Sequence, residues 1–114
     1  MIEKIIMNAL SSGTGIPAYM EVPEEAPGRF FVIERTGGGQ RGSEMRAAIF
    51  AVQSYGESLL EAAELNEQAL TIMAELPYTE DIVATCELNS SYNFTNTLTR
   101  RYRYQAVFDL VYFI

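Results

Sequence analysis

The stretch EMRAAIFAVQSY, residues 44–55, decides how this chain folds. Both of its alternating sets of positions are apolar, one being Met45, Ala47, Ile49 and Ala51 and the other Ala48, Phe50 and Val52. Successive side chains of a strand point to opposite faces, so a strand with two apolar sets is covered on both sides. The pattern predicts a strand at the centre of a sheet or at a contact with another subunit.

Two shorter strands are predicted before this one. A brief apolar run, Ala18–Val22, lies between Pro17 and Pro23, and a Pro-Gly turn leads into a second apolar run over residues 30–35. The segment from Thr36 to Ser43 is rich in glycine and predicts a long, flexible hairpin loop before the central strand.

Two helices are predicted, one before these three strands and one after them. Residues 2–12 carry apolar side chains at helical spacing and are followed by a Ser-Ser-Gly-Thr-Gly stop. Residues 58–76 form a second helix that Pro77 is expected to end. Its apolar arc spans roughly 200°, wider than a helix resting on one sheet requires, so we expect more than that sheet to cover it.

Two strands are predicted after the second helix. Residues 82–89 alternate in polarity and place Cys86 on the inner face as a small core residue, and the polar Ser90–Thr99 segment is predicted to be a loop. The final run, 101–114, places Tyr102, Tyr104, Ala106, Phe108, Leu110, Tyr112 and Ile114 on one face. A straight strand of that length would measure roughly 45 Å, so it either bends or projects beyond its own domain.

These elements predict a single α+β domain over residues 1–114. The order is α-β-β-β-α-β-β, a small antiparallel-rich sheet with two helices packed on it. An apolar content of 48% is ample for a packed core at this length.

Composition argues against catalysis. The chain has no His, so the commonest neutral-pH acid or base and the commonest transition-metal ligand are missing. Its single Cys precludes an intrachain disulfide and a Cys-rich zinc site. The glycine run resembles a phosphate loop only weakly, because a strand follows it where such loops require a helix. We expect neither an enzyme, a metal site nor a cofactor, and the first residues fit neither a signal peptide nor a membrane span.

Charge argues against nucleic acid and leaves one basic cluster. With 8 basic and 15 acidic residues the net charge is −7, which predicts no sequence-specific nucleic-acid binding. Arg100, Arg101 and Arg103 nevertheless fall together beside two tyrosines. Arg and Tyr are enriched in protein interfaces, although the cluster also fits a solvated strand start or a platform for single-stranded nucleic acid.

Several motifs extend over most of the chain: GRFFVIERTGGG at residues 28–39, AIFAVQSYG at 48–56, an Ala-rich second helix and RYRY at 101–104. With these motifs the chain resembles the tail terminator family of long-tailed phages and prophages. The strongest part of the resemblance is the run from Glu34 to Gly38, and the proline-bounded strand between Pro17 and Pro27 also fits.

The resemblance implies a structural virion protein, located in the virion tail and in the host cytoplasm during assembly. Such a subunit forms a hexameric ring with copies of itself, stacks on the tail-tube protein, halts tail polymerisation and presents a docking face to the head-tail connector. No cofactor is implied. The interface residues that it suggests are Gly37, Gly38, Gly39, Gln40, Arg41, Arg101, Tyr102, Arg103 and Tyr104.

Three other interpretations remain open at this point, one of them an enzyme without His that uses carboxylates alone. A head-tail neck or head-completion adaptor would have a similar small α+β fold and also form a ring. A dimeric α+β ligand-binding module would instead form a dimer around an apolar pocket.

Overall fold

The computed structural model describes the chain from Met1 to Ile114. Its two helices and five strands follow the order α-β-β-β-α-β-β, which confirms the predicted α+β class. The elements are α1 Ile2–Thr14, β1 Ala18–Tyr19, β2 Phe30–Arg41, β3 Met45–Gly56, α2 Leu59–Thr79, β4 Val83–Asn93 and β5 Tyr102–Phe113.

Strand β3 lies at the centre of the sheet, as its sequence predicts. The strand order is β1-β2-β3-β5-β4, and every neighbouring pair is antiparallel except β1 with β2. Residues 50–55 of β3 are buried, including side chains on both of its faces. The central position therefore arises within one chain, whereas cover on both faces is limited to residues 50–55, since Ile49 is 36% exposed.

Both helices pack on one face of the sheet, which we call the helix face. The main core lies there and includes the fully buried rings of Phe31, Phe50 and Phe108. The opposite side, the open face, has only a small cluster of Phe30, Val32 and Tyr55 near one end. The Phe30 and Tyr55 rings stack with centroids 4.4 Å apart.

Helix α1 ends two residues beyond its predicted limit, at a left-handed glycine. Gly15 has φ 74°, and its N–H donates to the Ser11 carbonyl at 2.8 Å. A residue with a Cβ adopts this backbone conformation at a cost, so glycine is the favoured residue at this position. Gly13 lies against α2, because a Cβ there would come within 2.7 Å of Ile72.

Helix α2 begins at a capped residue and continues past its proline. The Ser58 hydroxyl accepts a hydrogen bond from the Glu61 N–H at 3.1 Å. The prediction that Pro77 ends the helix is wrong, since α2 runs on to Thr79. Proline lacks one N–H, but it lies in the last turn, and Glu80 still closes that turn on a preceding carbonyl.

The wide apolar arc of α2 is covered only in part by the rest of the chain. Helix α1 covers part of it, including Ile72, so more than the sheet covers the helix, as expected. Leu59 and Leu60, at the start of α2, remain 40% and 69% exposed. One section of the arc is therefore satisfied inside the chain and another faces solvent.

Three strand boundaries differ from prediction. Strand β1 keeps only Ala18 and Tyr19 of the five predicted residues, and the chain turns away before Pro23, which has no N–H to give to a ladder. Strand β2 extends through the glycines to Arg41. Strand β4 continues to Asn93, so the loop predicted over Ser90–Thr99 is shorter. The backbone of β5 pairs with this part of β4, and polar residues form such a ladder as well as apolar ones do.

Strand β5 has the predicted inward face but does not project beyond the domain. Phe108, Leu110 and Tyr112 are buried against the helices. Its ladder with β3 runs without interruption from Gly56↔Tyr102 to Met45↔Phe113. Of the two predicted alternatives, bending or projection, projection does not occur, because β3 is equally long and pairs with β5 throughout.

Two hairpins form the ends of the elongated molecule, which measures 44 × 25 × 24 Å. The β2–β3 tip lies beside the end of β5, since Met45 pairs with Phe113. The β4–β5 tip lies at the opposite end, where Tyr102 pairs with Gly56. No helix of the chain combines the length and apolarity that a membrane crossing requires.

Candidate interaction site at the hairpin tips

The predicted interface residues fall into two groups that the fold keeps apart. Gly37–Arg41 lie in the β2–β3 hairpin, and Arg101–Tyr104 lie at the start of β5. From Met45 to Gly56, β3 spans the distance between the two tips, roughly 35 Å at strand spacing. The structure therefore contains two separate candidate surfaces.

The glycine-rich segment is a paired strand, so the prediction of a loop over Thr36–Ser43 is wrong. A bulge at Thr36 shifts the register, after which Gly37 to Arg41 pair with β3 down to Met45. Only residues 42–44 form the turn. Pairing with β3 outweighs the low strand propensity of glycine, because alternate residues of the segment gain ladder hydrogen bonds.

One glycine of this segment is required by the close approach of β3. A Cβ on Gly38 would lie 2.6 Å from the Ala47 carbonyl oxygen and 3.2 Å from the Ala48 Cα. A Cβ on Gly39 would meet nothing within 4 Å. At the turn, Gln40 Nε2 donates to the Gly42 carbonyl at 2.8 Å. This tip is ordered by its own contacts.

The second tip is built around Arg103. Its guanidinium lies 4.4 Å from the centroid of the Phe94 ring, its Nε donates to the Phe94 carbonyl at 2.7 Å, and its Nη1 donates to the Tyr55 hydroxyl at 2.9 Å. Arg101 also lies over the Tyr55 ring, at 5.9 Å, and Asn96 Oδ1 accepts backbone N–H bonds that shape the turn. The aromatic rings thus hold both guanidiniums on the open face.

A chain of hydrogen bonds extends from Arg103 across three strands. The Tyr55 hydroxyl donates to Gln53 at 3.1 Å, Gln53 donates to Gln105 at 2.9 Å, and Gln105 donates to the Tyr92 hydroxyl at 2.6 Å. Both glutamines are buried, so the chain satisfies amides that would otherwise be costly in the interior. It fixes the position of the Tyr55 hydroxyl that Arg103 contacts.

Tyr102 and Tyr104 lie away from this cluster. Strand alternation puts them on the helix face, opposite Gly56 and Ser54 of β3, whereas Arg103 is on the open face. The four residues predicted as one site are therefore divided between two faces. Sequence reasoning missed Tyr55 and Phe94, whose nearness to Arg103 depends on the register of β3 and β4 against β5.

The arginines of this tip have no acidic partner. The only salt bridge of the chain joins Arg35 to Glu3 at 3.2 Å, near the other end of the sheet. There the hydrogen bond to the Tyr112 hydroxyl, aided by Glu3, raises the pKa of Arg35 above its ordinary value. Arg101 and Arg103 instead line a surface cleft of about 340 Å³ together with Val22, Tyr55, Asn96 and Thr99.

The single thiol lies apart from both tips. Cys86 is half-buried and packs against the main core, as its alternation predicts. Desolvation, with a smaller contribution from the charge of Glu87, raises its pKa to about 12. The side chain is therefore protonated at neutral pH. No group of three or more His, Cys, Asp or Glu side chains is placed to hold a metal ion.

The sequence matches no protein-family model, and no curated protein is detectably similar to it.

Proposed function

We propose that this chain is a structural subunit of a phage tail, forming a ring that caps the tail tube, ends its polymerisation and gives the head connector a surface to dock on. The observation that carries the proposal is the placement of two ordered hairpin tips at opposite ends of one elongated subunit. A subunit between two different partners needs two separate contact surfaces, and the separation of the two tips supports this role.

Charge and surface composition support assembly. Arg101 and Arg103 lack acidic partners within the chain, and Arg beside aromatic rings is enriched where proteins meet. Leu59 and Leu60 add exposed apolar surface on α2. The α-β-β-β-α-β-β order agrees with the α+β subunit that the sequence resemblance implies.

Deletion of the gene from a phage or prophage that carries it tests this function. Without a terminator, tubes should continue to grow, so electron micrographs should show tails of variable and excessive length that lack heads. Tails of normal length that fail to join heads would instead identify the neck adaptor. A tight dimer that carries a metabolite in native mass spectrometry would identify the ligand-binding module.

Complementation with variants tests the tips. Arg101→Glu with Arg103→Glu should fail to restore normal tails. A control away from both hairpins, Lys4→Glu at an exposed position of α1, reverses one charge and spares that cluster. Normal tails from the first variant would remove these arginines from the proposed contact surface.

A further inference from the structure

We infer that the arginine cleft at the β4–β5 tip is a receptor for helix α2 of a second copy of this chain, so that copies pack front to back in solution. The inference rests on the proposed function in one respect, the assumption that copies of the chain assemble with each other. Its content is the pairing of two particular surfaces.

The first surface is the cleft on the open face. Its positive charge comes from Arg101 and Arg103, and its exposed apolar part comes from Val22, which is 39% exposed. Hydrogen bonds to Phe94 and Tyr55 hold Arg103 in place before any ligand arrives. A guanidinium held in this way favours a carboxylate, to which it can donate charge-assisted hydrogen bonds.

The second surface is the outer side of α2. Leu60, Glu64 and Glu67 recur at helical spacing on the side opposite the buried Leu65 and Met73, and all three are exposed. Neither glutamate takes part in a salt bridge within the chain. The set combines two free carboxylates with an apolar side chain that is 69% exposed. It matches the cleft in both charge and polarity.

The positions of the two surfaces allow neighbouring copies to associate with their long axes pointing the same way. Both lie at the same end of the long axis, because α2 begins directly after Gly56, which pairs with Tyr102 beside the cleft. They lie on opposite faces of the sheet. A copy rotated about an axis parallel to the strands therefore brings its α2 against the open face of its neighbour. Such head-to-tail contacts close into a ring when the rotation per copy permits.

Exchange of charges between the two surfaces gives a sharp test. The cleft variant is Arg101→Glu with Arg103→Glu, and the helix variant is Glu64→Arg with Glu67→Arg. Association of the unaltered chain, measured by sedimentation and native mass spectrometry, should weaken as salt rises. Each variant alone should associate about 100-fold more weakly. An equal mixture of the two, or one chain with both changes, should associate again, because every contact then joins opposite charges.

Controls separate this pairing from general charge effects. Lys4→Glu with Arg46→Glu and, on the distant part of α2, Glu75→Arg should leave association unchanged. Circular dichroism verifies folding. Arg101→Glu alone serves if the double cleft variant unfolds, since Arg101 is held by a hydrogen bond of its backbone carbonyl, which the substitution leaves in place. It should weaken association in the same direction.

Several results would overturn the inference. A chain that stays monomeric up to its solubility limit, or variants that do not rescue each other, would do so. So would binding of a single-stranded oligonucleotide at the cleft without association of copies. The proposed function is tested separately, by tail length in the deletion experiment. Tails of excessive length in that experiment, together with charge variants that fail to rescue each other, would reject this interface and leave the proposed function standing.

Discussion

The guanidinium of Arg103 covers the Phe94 ring at 4.4 Å while its Nε donates to the Phe94 carbonyl at 2.7 Å. One side chain thereby holds both the ring and the backbone of the residue that follows β4. The contact closes the β4–β5 tip from its open face, and the Tyr55 hydroxyl adds a third attachment at 2.9 Å.

Replacement of Arg103 by Met should therefore lower the free energy of unfolding by about 1–2 kcal/mol, through loss of the cation–π contact and of the two hydrogen bonds. Urea denaturation measures the change. Arg100→Met, at an exposed neighbour, should stay within about 0.5 kcal/mol. An equal loss in both variants would mean that the cluster around Phe94 adds nothing specific to stability.

Gly38→Ala should destabilise the β2–β3 hairpin by about 1–3 kcal/mol, because the new Cβ would come within 2.6 Å of a backbone oxygen that cannot move alone. Gly39→Ala is the matched control, with open space around its Cβ, and should change stability by less than about 1 kcal/mol. Thermal unfolding of the two variants compares them. If Gly39→Ala were the more harmful change, the register of the hairpin would have to be different.

The buried hydroxyl of Ser54 has no hydrogen-bond partner. Its removal in Ser54→Ala ends the cost of leaving a polar group unsatisfied, so stability should rise by up to about 1 kcal/mol. Gln53→Ala, next to it on the opposite face, breaks the hydrogen-bond chain and should lower stability by about 1–3 kcal/mol. Denaturant titration should show opposite changes in the free energy of unfolding for the two variants. A clear loss of stability in Ser54→Ala would indicate that the Ser54 hydroxyl has a hydrogen-bond partner.

Cys86 predicts a pH dependence at the alkaline end. Its pKa rises from 9.0 to about 12 on folding, so between these values the folded chain retains a proton that the unfolded chain has lost. The contribution of this thiol to stability is complete below pH 9 and is lost as the pH rises toward 12. Cys86→Ala should show a shallower alkaline decline than the unaltered chain, and identical pH profiles would contradict the shift.

The same burial should make the thiol slow to react. At neutral pH a thiol reagent should modify Cys86 far faster in urea than in the folded chain, because the reactive thiolate is suppressed by burial. Absorbance of the released chromophore follows the reaction. Rapid modification of the native chain would show that the strand opens locally.

Period-two patterns predicted the fold well where the strands are regular. Phe108 and Leu110 flank Asp109 and lie inward as predicted, and β3 has its two apolar sets because it is central. The bulges of β4 at Ala84 and Asn89 carry no such signal, since each depends on the register against β5. The bulge at Ala84 explains how Val83 and Cys86 both come to contact the core.

The candidate site is harder to predict from the sequence than the fold, because it too depends on strand register. Arg101 and Arg103 stand out by composition, but Tyr55 precedes Arg103 by 48 residues and meets it only through the pairing of β3 with β5. The alternation of β5 already places Tyr102 and Tyr104 on the face opposite Arg103, so a single interface that includes all three residues disagrees with the strand pattern. The glycines were assigned to a loop because their propensity is local and their pairing is not.

The uninterrupted ladder between β3 and β5 has a mechanical consequence. Each of these antiparallel strands runs from one tip of the molecule to the other, so a pull applied at the two tips acts along the strands. The load falls in shear on all the hydrogen bonds of the ladder together, from Tyr102 to Phe113, instead of opening them one after another. A subunit stretched between partners at its two ends would resist extension through its backbone.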